Sequence, residues 1–353
     1  MGANFLNILV TLALQSPQPD TSFDNSPTDG IAFERISDLL QYNRVQGLSL
    51  GLGYQVPLSG SAARLHATLR YGLSDERVTG RLTLLLNTGL GPLVLTGYRD
   101  ISDIDPFSPG RTVANTLNGL FAGHDNGDYA LSRGAGLQLE KPLKPGLELI
   151  LSGRVEHLTS VSRVARSAIN DFFGGSGVFP PNPPVHEGTF ALISAQARSR
   201  GRMRWSATAD VLGGGGRTTG RLYGDLRGRV GRGWGLTLRL RAGVATEPTP
   251  PQALFRVGGV NSVRGFEYAR LRGPAFWAGQ LDMTPFNGRV RPVVFIDAGQ
   301  ASRMSRLFSS TASVGAGVGL SLFRGLLRFD LSHPVSPDHG SKVRFDLVVQ
   351  SAM

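Results

Sequence analysis

The chain has 353 residues and no cysteine, with 41% hydrophobic and 18% charged residues, so it forms neither disulfides nor thiolate metal sites. It holds no apolar run of about 18 residues, which excludes a helical membrane span. The net charge of +11 is carried by arginine, because Lys141, Lys144 and Lys342 are the only lysines. The arginines recur at alternate positions and not in a tail or along one helical face, which argues against a nucleic-acid partner and for a charged interior.

Taken in order, residues 1–15 include the short apolar run Phe5-Leu-Asn-Ile-Leu-Val-Thr-Leu-Ala-Leu14, which reads as the core of a signal peptide. Residues 16–29 are polar and proline-bearing, and the composition predicts a disordered tail. From residue 30 to 353 strand patterns follow one another. Leu65, Ala67, Leu69 and Tyr71 alternate with Arg64, His66, Thr68 and Arg70. Leu236, Leu238, Leu240 and Ala242 alternate with Thr237, Arg239 and Arg241, and Leu327, Phe329 and Leu331 with Arg328 and Asp330. A period of two with one apolar face means strands. No helix or second sheet is at hand to cover that face, so the pattern predicts lipid outside and a polar lumen inside.

Fifteen strands are expected, at about 44–56, 63–72, 76–87, 91–100, 127–140, 145–159, 188–198, 202–212, 217–230, 234–246, 275–286, 289–299, 310–323, 325–334 and 341–351. Bacterial single-chain barrels have even strand numbers, and Gly30-Ile-Ala-Phe-Glu-Arg-Ile-Ser-Asp38 is the candidate for a sixteenth. With it, every connection on one side is short, while 101–126, 160–187 and 247–274 fall together on the other. Short periplasmic turns and long outer loops are the expected asymmetry. The predicted fold is thus an all-β transmembrane antiparallel barrel of about 16 strands, with a long loop folded into the lumen.

That loop is 247–274. An outer loop is ordinarily polar, yet this one carries Phe255, Val257, Val260, Val263 and Phe266 among glycines. Such a loop prefers burial, and the space available is the lumen. Arg264 near its tip then needs counter-charges, because an unpaired buried charge is very costly. The next two strands can supply them. Asp297 shares a face with Phe295 and Gly299, and Asp282 shares one with Gln280 and Ala278.

Phe255–Tyr268, centred on Val263-Arg264-Gly265-Phe266, together with Val293-Val-Phe-Ile-Asp297-Ala-Gly299, resembles the signature of the BamA/TamA outer-membrane assembly superfamily. These are the bacterial surface antigen barrels, which also include two-partner-secretion transporters. Tyr42–Leu48 looks like an early barrel segment of that superfamily, and Val314–Leu320 with Gly325–Asp330 looks like its last hairpins. The resemblance implies a non-enzymatic barrel of the bacterial outer membrane that inserts or translocates proteins. It also implies that Arg264 folds back to pair with Asp297 and with Asp282, at a position where the family more often has Glu.

No cofactor or metal is implied. The implied partners are the bilayer and its lipopolysaccharide, outer-membrane protein substrates, and a separate periplasmic protein carrying soluble repeats. The family's own repeats, the POTRA domains, are expected to be absent, since one such repeat is longer than the segment before the barrel. The chain also closes on Met353, where family members commonly end on an aromatic residue. A weakly alternating first strand, with Glu34, Arg35 and Asp38, motivates a poorly paired lateral seam. The alternative is a passive pore or the membrane anchor of a multi-protein complex.

Other patterns point less far. Gly47-Leu-Ser49-Leu-Gly51 has nucleophile-elbow spacing but lies within a strand pattern. The histidines at 66, 124, 157, 186, 333 and 339 show no metal spacing. Asp100, Asp103 and Asp105 suit either an outer-loop calcium site or a solvated polar loop. Pro180–Pro184 suits a pore cap or a rigid surface stretch.

Overall fold

The computed structural model describes residues 29–349, apart from 34, 60–61, 173, 202, 232–233, 287, 324–325 and 337–342. The expected signal peptide, nearly all of the expected tail, Glu34 and Met353 lie outside the described residues.

Among the described residues, sixteen consecutive antiparallel strands make one sheet, which a further two-residue strand joins. They are β2 (Leu40–Asn43), β3 (Gly47–Ser59), β4 (Ala63–Gly72), β5 (Val78–Thr88), β6 (Gly91–Asp103), β7 (Tyr129–Lys144), β8 (Leu147–Ser160) and β9 (Gly188–Arg200). There follow β10 (Met203–Gly214), β11 (Arg217–Val230), β12 (Gly235–Ala245), β15 (Ala275–Thr284), β16 (Val290–Ser302), β17 (Ser313–Leu322), β18 (Leu327–Pro334) and β19 (Arg344–Val349). Each pairs with the next, from β2 with β3 through to β18 with β19.

The alternation explains the burial, which is inverted relative to a protein in water. Leu69 is 63% exposed and Ile193 70%, while their lumen-facing neighbours Arg70 and Asp210 are 5% and 3% exposed. An apolar exterior over a charged interior fits lipid outside. Registers follow from this, since a one-residue slip would turn every arginine outward.

The sixteen-strand count holds, but the expected first strand does not. Within 30–38 only β1 (Gly30–Ile31) is extended, pairing with Gln55 and Tyr54 of β3. Residues Ile36–Leu39 form one helical turn with Ser37 and Asp38 buried. The strand adjoining β3 is β2, four residues long. Asp38 accepts from the Arg35 N–H at 3.1 Å, a local bond that favours a turn over an edge strand. The next expected strand, 44–56, therefore starts late, at Gly47, after a turn at 44–46.

Short connections at one end and three long ones at the other match the expected asymmetry. Residues 104–128 carry the helix Val113–Leu117 and a π-helical turn Asn118–Ala122. Residues 246–274 carry a small hairpin, β13 (Phe255–Val257) paired with β14 (Leu271–Gly273). The three long loops bind one another. Arg256 in β13 meets Asp128 at 2.7 Å, the Tyr268 hydroxyl donates to Asp105 at 2.8 Å, and Arg44 reaches Asp125 and the carbonyl of Pro181. The proline stretch is held by Asn182, which accepts from the Tyr129 N–H at 2.9 Å and donates to the Tyr129 and Val161 carbonyls.

Candidate functional site

The lumen hairpin places its apolar residues in one cluster: Phe255, Val257, Val263 and Phe266 pack with Phe276 of β15 and Ala301 of β16. Phe255 stacks on Phe276 at 4.7 Å between ring centres. This packing fixes Val263 and aims the next residue, Arg264, at the barrel wall. Gly265 turns the chain there with φ 91°, and a Cβ on it would lie 2.9 Å from the His333 carbonyl carbon. On β17, a Cβ on Gly315 would come within 1.9 Å of the Arg264 carbonyl oxygen. The loop sits this deep because that strand position has no side chain.

Arg264 is 4% exposed and meets three carboxylates. Its Nε and Nη2 donate to Asp297 on β16, both at 2.6 Å, and its own backbone N–H donates to the same carboxylate at 2.9 Å. Nη2 also donates to Asp282 on β15 at 2.7 Å, and Nη1 to Asp330 on β18 at 3.3 Å. The guanidinium carbon lies 3.7 Å from the centre of the Phe295 ring, a cation–π stack. Burial pushes the Arg264 pKa down, but Asp297 and then Asp282 and Asp330 raise it further, so the guanidinium stays charged. A fork bound on two edges and stacked on its face is specific to arginine; lysine would keep the charge and lose the geometry.

Val263, Arg264, Gly265 and Phe266 thus lie together with Asp282, Asp297 and Phe295. Gly299 is adjacent, where a Cβ would meet Val263 at 3.0 Å. Sequence reasoning did not place Asp330 and Arg328 in the site. Arg328 donates to Asp282 at 2.6 Å and to Asp330 at 2.6 Å, completing a ring of two arginines and three aspartates. Their signal was present: Arg328 and Asp330 sit two apart on the polar face of their strand.

A second feature lies where the ladder ends. Among the described residues, no register joins β19 back to β2. The helix Val113–Leu117 and the turn after it stand there instead. Thr116 Oγ1 accepts from the Tyr42 N–H of β2 at 3.2 Å. Asn118 accepts from the Leu347 N–H of β19 at 2.7 Å and donates to the Leu347 carbonyl at 2.7 Å.

A lumen cavity of about 490 Å³ lies beside both features, lined among others by Arg198, Arg204, Arg227, Arg239 and Asp225. In register, Arg204 faces Arg200 on one side and Arg227 on the other, and Arg227 faces Arg239. Glu148 pairs with Arg198 and Arg200, and Asp225 with Arg239 and Arg241. Like charges directly opposite repel, and this row leaves the cavity wall cationic.

Elsewhere Asp100 is neither solvated nor a calcium ligand. It bonds Arg70, Arg81 and Arg111, and no group of three or more metal-ligating side chains with suitable geometry occurs among the described residues. Ser49 is fully buried within β3.

Residues 199–349 match the Omp85 superfamily domain, the superfamily that the arginine loop and the strand at Asp297 resemble. The fold is similar to BamA from Haemophilus ducreyi lacking POTRA domains 1–3, at 15% identity and TM-score 0.60, covering 87% of this chain and 68% of that one. It is also similar to CdiB from Acinetobacter baumannii, at 15% identity and TM-score 0.51, covering 87% of this chain and 57% of that one. Curated protein sequences contain no match. The likeness to these two solved structures is one of fold.

Proposed function

With residues 199–349 an Omp85 superfamily domain on a barrel whose ladder ends unjoined, we propose that the chain assembles or passes outer-membrane proteins through the seam between β2 and β19. Arg264 in this reading holds the lumen loop clear of the path. The observation that carries it is the seam itself. Internal strands such as β7 and β8 pair over more than ten residues, whereas among the described residues β2 has four and β19 six, with no register between them. An edge that is not laddered is free to accept another strand. The substrates are unfolded outer-membrane barrels, and a periplasmic protein with soluble repeats would deliver them.

The test uses the purified chain in proteoliposomes, with a separate unfolded outer-membrane barrel as substrate. Faster folding than in empty liposomes, lost in Arg264→Ala, is the expected result. No acceleration by the wild-type chain would sink the reading and leave the second one, a passive pore or membrane anchor, which the cationic cavity favours.

A further inference from the structure

We propose that residues 113–122 are a displaceable plug in the seam, in which Thr116 and Asn118 occupy backbone groups that an incoming strand would otherwise pair with. This rests on the seam reading above and names its regulation.

A residue in a hydrogen-bonded antiparallel pair gives one N–H and takes one from its partner through C=O. A side-chain amide carries the same donor and acceptor. Asn118 uses both on Leu347, at 2.7 Å each, and so stands where a strand residue would stand on the free edge of β19. On the facing edge, Thr116 takes the Tyr42 N–H of β2, and the Gln41 side chain donates to the Gly110 carbonyl at 3.1 Å. One short segment thereby bonds to both edges, at Tyr42 on β2 and at Leu347 on β19. Asn118 is 2% exposed, so these bonds are shielded from water.

The same geometry makes the plug weaker than a strand. The helix is five residues long, too short to be stable alone, and it replaces a ladder with side-chain bonds at two backbone positions. A strand entering from solution would offer bonds along the whole edge. The occupant that fits is an extended segment with alternating apolar and polar residues, as found in an unfolded outer-membrane barrel.

The test measures amide exchange across residues 344–349 and photo-cross-linking of those residues to a synthetic alternating peptide. Asn118→Ala removes two buried hydrogen bonds and should raise both readouts by about tenfold. Asn118→Asp, which keeps the acceptor but loses the donor, should raise them less. The chain has no cysteine, so Asn118→Cys with Leu347→Cys can be tied by a bis-methanethiosulfonate cross-linker, which forms a disulfide with each thiol and releases methanesulfinate. The tied barrel should lose peptide capture, and reductant should restore it. Equal capture by wild-type, Asn118→Ala and tied barrels would overturn the plug, and heat-modified gel mobility separates that outcome from misfolding. Peptide capture released by Asn118→Ala, with no folding activity in proteoliposomes, keeps the plug and removes the assembly reading. Folding activity undiminished in the tied barrel does the reverse.

Discussion

Two sectors of the same barrel wall are closed by opposite means. Around β15 to β18, full ladders are reinforced from inside by Arg264, whose single guanidinium touches carboxylates on three strands. Between β19 and β2 no ladder occurs among the described residues, and two side chains of an outer loop bridge the gap. The first arrangement is a charge network in which every member depends on the others. The second is a set of neutral hydrogen bonds that a strand can match. In the proposed reading the contrast separates a fixed wall from a door, and it predicts where the barrel would yield.

The largest break comes from Arg264→Ala. It leaves Asp297, whose side chain is fully buried, without the arginine that pairs with it and leaves Asp330 with Arg328 alone, and should cost on the order of 3–5 kcal/mol in denaturant unfolding. A double-mutant cycle with Asp297→Ala should give a coupling of at least about 1 kcal/mol; additive effects would mean the pair is not an energetic unit. Next comes Gly315→Ala, which drives a methyl into the Arg264 carbonyl. It should cost about 1–3 kcal/mol and raise protease sensitivity of the lumen loop; an unchanged loop would show that β17 does not set its depth.

Smaller again is Thr116→Val, which removes one bond to β2 and should cost about 1 kcal/mol. It should loosen the seam while leaving Arg264 protected, and a matching loss at both sectors would erase the distinction drawn between them. Smallest is the cationic row. Arg204→Glu should shift the reversal potential of any residual planar-bilayer conductance away from anion preference with little change in stability, because Arg204 is exposed to the cavity.

Much of the fixed wall was legible in the sequence. The expected strand at 63–72 coincides with β4, because alternating Arg and Leu leave only one register. The loop at 247–274 betrayed itself by apolar residues where an outer loop should be polar, and Asp297 and Asp282 followed from facing parity. Asp330 escaped because its partner lies 66 residues away, although its strand pattern was plain. The door was illegible. Its first strand is interrupted by a helical turn held by a local Asp38 bond, and the residues 30–38 show neither period clearly. The proposed plug is a five-residue helix and the turn after it, whose key bond joins Asn118 to Leu347 across 229 positions, and no local pattern announces such a contact.

The brevity of β2 and β19 also bears on the membrane. At about 3.3 Å per residue, four and six residues give heights of roughly 13 and 20 Å even if untilted. The apolar band of an outer-membrane barrel is about 25 Å tall. Among the described residues the strand edges at the seam are therefore shorter than that band, and a bilayer answers such mismatch by thinning. In the proposed reading, the same boundary would be weakened twice, in the protein wall and in the lipid that adjoins it.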